Sequence, residues 1–131
     1  MAMQFSTTLR TAQMDEIATA LGANFTTKIF TGAQPANCAA ADSGTELASF
    51  TACNFAAAAS GAIALTGVPE AATAGATGTA AHFRMYNGAT CHAQGSVTAT
   101  GGGGDMTLDN AVIAIAQVVT VATFTRTAAG A

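Results

Sequence analysis

The spacing of apolar residues changes character along the chain. Between residues 6 and 21, Met14, Ile17, Ala18 and Leu21 recur at intervals of three and four and share one helical face. Ser6 can cap the start of a helix and Gly22 can stop it, so a helix is predicted over 6–21. Phe5 and Leu9 form a second apolar strip, rotated from the first. Either this helix is covered on two sides, or it starts late and Phe5 lies in an extended arm.

After Gly22 the period falls to two, the spacing of strands. The run 25–31 (FTTKIFT) reads as the first strand and ends at Gly32. Residues 32–45 (GAQPANCAAADSGT) are small and turn-forming, and predict an extended surface loop. Leu47 to Phe55 alternates again, with Leu47, Ser49 or Phe50, and Phe55 inward. Residues 62–66 give a short strand, and 67–78 (GVPEAATAGATG) a second small-residue loop. The clearest unit is a strand over 80–86, Asn87-Gly88 as a hairpin turn, and a returning strand over 90–100. Gly101 to Gly104 break that strand. Thr107-Leu108, Val112 to Ile115 and Val118 to Thr127 are further strands, the last placing Val119, Val121, Thr123 and Thr125 on one face. One N-terminal helix and about seven or eight short strands predict a mainly β fold, an antiparallel β-sandwich or barrel. The 131 residues suit a single domain over 1–131, with an arm and helix over 1–22 and a β body over 23–131.

Charge alters this picture more than any other property. Only 8% of residues are charged, against about 25% in an ordinary soluble domain. Such a surface, made of Thr, Ser, Ala, Gly and Asn, suits one that is covered in use, because interface cores are depleted in charge. The alternative is a Thr/Ala-rich monomer. Lys28, Arg10, Arg84 and Arg126 are scattered, so no basic patch for nucleic acid is expected. No secretory leader is expected from the first residues. The uncharged stretch Leu47 to Pro69 is interrupted by Gly61, Gly67 and Pro69 and reads as strand and loop, so no membrane span is expected.

Candidate chemistry is sparse. Cys38, Cys53 and Cys91 are an odd number, which favours free thiols made in the cytoplasm; one bridge, for example Cys38 to Cys53, stays open. The four glycines lack the Gly-Lys-Ser/Thr of a phosphate loop, and a flexible hairpin or contact loop is expected instead. His82, Cys91 and His92 flank the hairpin, but adjacent Cys91 and His92 point to opposite faces, so no metal site is expected. Asp105, Asp109 and Asn110 lack calcium-loop spacing and suit a capped turn. Asp15 and Glu16, adjacent on a helix, face different ways and make no acid/base pair. An enzyme would need His82, His92 and a carboxylate within hydrogen-bond reach; none is expected, and no cofactor.

The segments 79–86 (TAAHFRMY), 90–100 (TCHAQGSVTAT) and above all 101–110 (GGGGDMTLDN) resemble a family of small virion structural proteins from tailed bacteriophages and prophages of the siphophage type. The opening around Met3 to Arg10 and the run 35–45 are similar to it too, while residues 52–75 diverge. The resemblance covers most of the chain and implies a particle component with no catalytic motif to transfer. It points to a capsid decoration (cement) protein, assembled in the host bacterial cytoplasm and bound to the capsid exterior. Its partners would be copies of itself, a trimer being favoured, and the phage major capsid protein. The alternative is a tail or neck subunit, tube or connector. A soluble carbohydrate-binding module is a third reading, poorly served by one Tyr and no Trp. The candidate assembly contacts are Phe5, Leu9 and Met14 of the arm and helix, Pro35 and Asn37 of the first loop, and Gly101, Gly102 and Asp105 of the glycine-rich segment.

Overall fold

The computed structural model describes residues 2–67 and 70–131. Met1 of the expected arm, and Val68 and Pro69 of the expected 67–78 loop, lie outside the described residues. Helix α1 spans Thr7–Leu21. The strands follow as β1 (Phe25–Phe30), β2 (Glu46–Cys53), β3 (Ala62–Ala64), β4 (Glu70–Thr73), β5 (Gly78–Thr79), β6 (His82–Asn87), β7 (Thr90–Ala99), β8 (Met106–Leu108), β9 (Val112–Ile113), β10 (Val118–Thr123) and β11 (Thr125–Thr127). The fold is mainly β with one helix, as the period pattern predicts. The strands outnumber the expected seven or eight because several are fragments of two or three residues.

Seven strands form one sheet in the order β2-β1-β6-β7-β8-β10-β4. Its end strands approach each other, where the Gly75 N–H donates to Leu47 O at 2.9 Å, so the sheet is nearly closed into a barrel. The inner face is filled by Phe25, Ile29, Leu47, Phe50, Phe83, Met85, Val97, Met106, Leu108, Val119 and Val121. In most strands these are the alternating apolar positions, while in β2 irregular pairing with β1 turns both Leu47 and Phe50 inward, and their burial drives closure. Small pairs β11-β3 and β5-β9 close the periphery.

Helix α1 begins as expected, with Ser6 Oγ accepting from Leu9 N at 3.2 Å, and ends at Gly22 with φ of 72°. Phe5 precedes the cap and lies in an extended arm, its N–H donating to Gly130 O at 2.8 Å. Met14 packs against Ile63 and Ala128. Thr11 Oγ1 and Asp15 Oδ1 accept from the Gly61 and Ala58 N–H groups at 2.9 Å each. At the other end Asn87 Nδ2 donates to Ala20 O at 3.1 Å.

Four expectations need correction. The 67–78 segment is not all loop: Glu70–Thr73 pairs with β10 as β4. The Asn87-Gly88 turn is shifted by one, since Asn87 pairs with Thr90 and the loop is Gly88-Ala89. The glycine run forms no hairpin. Strands β7 and β8 are parallel, with Val97 opposite Met106 and Ala99 opposite Leu108, so the sheet is not purely antiparallel. Parallel neighbours ordinarily need a long crossover. Here the chain retreats only two residues' length, roughly 7 Å at strand rise, before advancing again. Residues 100–105 suffice because glycines lie against Thr98: a Cβ on Gly102 would stand 2.7 Å from Thr98 Cβ. Last, the alternation of 118–127 breaks at Phe124. Its ring turns inward against Phe55 and Phe83, at 6.0 and 5.5 Å between centroids, and the chain leaves the large sheet to pair with β3.

Candidate functional site

Strand β6 presents Phe83 and Met85 to the core and His82, Arg84 and Tyr86 to the outer face. An outer face of polar residues would ordinarily be wet, yet Arg84 is 1% exposed. The cover is the segment 32–45. Its base is closed by Thr31 N donating to Thr45 O at 3.0 Å and by Thr45 N donating to Thr31 Oγ1 at 2.9 Å. It is a compact loop with adjacent ends, folded down on the sheet rather than extended from it.

Arg84 fastens it there. Nη1 donates to Asp42, and Nη2 donates to Cys38 O at 2.8 Å and Ala40 O at 3.0 Å. The Tyr86 hydroxyl also donates to Asp42. Gln94, opposite Arg84 on β7, donates to Pro35 O at 2.7 Å, and His82 Nδ1 meets Gly32 O at 2.9 Å while its ring stacks on Phe30. Lys28 and Arg84 both approach the Tyr86 ring, at 5.6 and 5.7 Å from its centroid. A guanidinium offers donors in a fixed fork, so one buried arginine satisfies several carbonyls of a loop that has no apolar core of its own.

The electrostatics follow. Burial pushes the Asp42 carboxyl up, but hydrogen bonds from Tyr86 and Arg84, with the Arg84 charge, outweigh it and hold the carboxyl below its ordinary value. Burial, then the hydrogen bond to Asp42, pushes the Tyr86 phenol well above its ordinary value, against the pull of Arg84. A raised phenol contributes stability below the unfolded value, near 10, which is lost as pH rises through the folded value. Tyr86 is the one tyrosine of a chain without tryptophan, so its titration can be read directly. Phenolate absorbance should be absent at about pH 11 in the folded protein and present in urea. Asp42→Asn should bring the transition down; an ordinary titration in the folded wild type would contradict the Tyr86–Asp42 bond.

The candidate contacts fall in different places. Leu9 is exposed and Phe5 half-buried, whereas Met14 is 9% exposed inside the helix–β3 contact and does not reach the surface as a contact should. Asn37 is exposed; Pro35 is half-buried, held by Gln94. Gly101 is open, while Gly102 packs on Thr98. Asp105 Oδ2 accepts from Ser96 N and Oγ at 3.0 Å, and its carboxylate lies 3.8 Å from Arg126, so it serves the β7–β8 crossover.

What the sequence reading missed is a stretch of exposed aliphatics. Val112 is 66% exposed and Val118 57%, on either side of the turn at 114–117, and Ile115 within that turn is 64% exposed. Ile113 and Val119 beside them are buried, so strand alternation sends Val112 and Val118 outward, and the turn between the strands carries Ile115.

Chemistry of other kinds finds little support. His82 is buried opposite Ser96 while His92 is exposed beyond Gln94, roughly 13 Å away by strand rise. Among the described residues no group of three His, Cys, Asp or Glu is placed to hold a metal ion. An apolar cleft of about 180 Å³ lies against α1, lined by Ile17, Phe55, Phe83, Met85 and Phe124, with the Asp105–Arg126 pair among its lining. Among the described residues no helix is long and apolar enough to cross a membrane. The cysteine pairing suggested above is also misplaced: Cys53 lies in the core on the inner side of the sheet, its thiol donating to Phe50 O, whereas Cys38 lies in the outer loop. Compared with protein-family models, curated proteins and solved structures, the chain matches none.

Proposed function

We propose that the chain is a non-catalytic structural component of a tailed-phage particle: a decoration protein that associates with copies of itself and binds the outside of the head shell, after assembly in the host bacterial cytoplasm. The observation that carries this reading is the run of exposed Val112, Ile115 and Val118 on a chain with 8% charged residues. Each such side chain gains about 1.5–3 kcal/mol when fully buried. A stable interface needs about 800 Å² from each partner, so the aliphatics form its centre and the neutral Thr, Ala and Ser surface its surround. The pinned 32–45 loop would meet a partner already ordered, which reduces the entropy lost on binding. The cations offer little to nucleic acid: Arg84 is buried, and Lys28 and Arg126 lie 3.1 and 3.8 Å from Glu46 and Asp105.

The test is sedimentation velocity of the wild type beside Ile115→Asp and Val118→Asp. The wild type should form a closed oligomer, a trimer in the favoured case, and bind capsid shells lacking decoration. The variants should lose at least tenfold in association constant while their monomers keep the wild-type circular dichroism spectrum, because the replaced side chains are exposed in the single chain. Association unaffected by both substitutions would defeat the reading. A second reading, a tail or neck subunit, is favoured by the end strands β2 and β4, which among the described residues share no ladder. Parting that near-closure would free two sheet edges to pair with another chain. It predicts rings or open tubes instead.

A further inference from the structure

Cys38 and Cys91 are brought together by the same arginine that holds the loop. On the loop side, Cys38 O accepts from Arg84 Nη2 at 2.8 Å. On the strand side, Cys91 is the register partner of Tyr86 and shares its outer face, and the Tyr86 hydroxyl donates to Asp42 of that loop. The Cys91 thiol is an electrostatic neighbour of both the Cys38 thiol and the Arg84 guanidinium, so the three groups lie together where the loop meets the strand. Both cysteines are half-buried, reachable by a small reagent. Cys53 is shut in the core on the other side of the sheet.

We propose that Cys38 and Cys91 form a reversible disulfide that fastens the 32–45 loop to β7 when the protein meets oxidising surroundings. The oxidant is a small-molecule disulfide such as oxidised glutathione. One protein thiol gives up its proton and attacks a sulfur of the oxidant, expelling one small thiolate and leaving a mixed disulfide. The second protein thiol gives up its proton and attacks the protein sulfur of that bond, expelling the other small thiolate. Two protein thiols thus lose two electrons and two protons, and the oxidant is reduced to two thiols. Burial and the neighbouring Cys91 push the Cys38 thiol up to about 11, against the pull of Arg84. Closure therefore accelerates with rising pH, since the thiolate is the attacking species. In the reducing cytosol the pair stays open; outside the cell it closes. The lock does not depend on what the protein assembles with.

The test is incubation of the purified chain with oxidised glutathione at about pH 8, then peptide mapping by mass spectrometry without reduction. The expected product is a monomer on a non-reducing gel, lighter by two hydrogens, with the Cys38 and Cys91 peptides joined. Its melting temperature should rise by roughly 10 °C and return on treatment with dithiothreitol. Cys53→Ala should behave alike in linkage, while Cys38→Ser and Cys91→Ser should gain neither link nor stability. Persistent alkylation of both thiols, a stable glutathione adduct, a link to Cys53, a link between chains, or a link that lowers the melting temperature would each overturn the proposal.

Discussion

Arg84→Met should destabilise the protein by about 3–5 kcal/mol, a fall in melting temperature of roughly 10–20 °C. Methionine keeps much of the stem volume, so the loss isolates the guanidinium. Without it the carbonyls of Cys38 and Ala40 lose their donor and Asp42 loses its cation, and those groups recover partners only by lifting the loop into water. Hydrogen exchange and protease sensitivity should therefore rise over 32–45 before they rise elsewhere. Arg84→Lys keeps the charge but not the fork, and should lose about half as much. Unchanged protection of the loop in Arg84→Met would show that Arg84 does not hold it.

Gly44→Ala should be nearly as damaging, at about 3 kcal/mol or more. Gly44 has φ of 76°, where an L side chain is strained, and a Cβ there would stand 1.9 Å from Thr31 O. That neighbour is backbone and cannot swing aside, so the base of the loop must open. The Thr31–Thr45 hydrogen bonds are the first to go. Urea titration should show a lower midpoint with a similar slope. Gly32→Ala is the control: its φ is also positive, at 77°, but nothing lies within 4 Å, so it should lose only the backbone strain of about 1 kcal/mol. Equal losses at the two sites would contradict the close approach at Gly44.

The legible parts of this fold are local. Ser6, Gly22 and the spacing of Met14, Ile17 and Leu21 mark α1 because caps and helical faces are set by near neighbours. The Asn87-Gly88 pair marks the hairpin to within one residue for the same reason. Strand β4 was hidden because EAAT carries no large apolar residue and is a strand only by pairing with β10. The parallel β7–β8 pair was hidden because a glycine run reads as a turn, whereas its direction is fixed by Thr98 and by Asp105 bonding Ser96. The Arg84 cluster was least legible. The order His-Phe-Arg-Met-Tyr looks like a half-wet strand, and only the loop decides that its wet side is dry. The one hint was Asp42, the single charge in a loop of small residues. The exposed aliphatics at 112–118 are hidden by their β-branched character, which marks strands without saying which face is covered, although alternation alone turns Val112 and Val118 outward.

Self-association through an uncharged surface is the central claim, and solution mass by multi-angle light scattering over a wide concentration range tests it most directly. A stable closed oligomer, with a trimer matching the threefold positions of a shell, is the predicted result. A strict monomer at the highest concentration reached would contradict it.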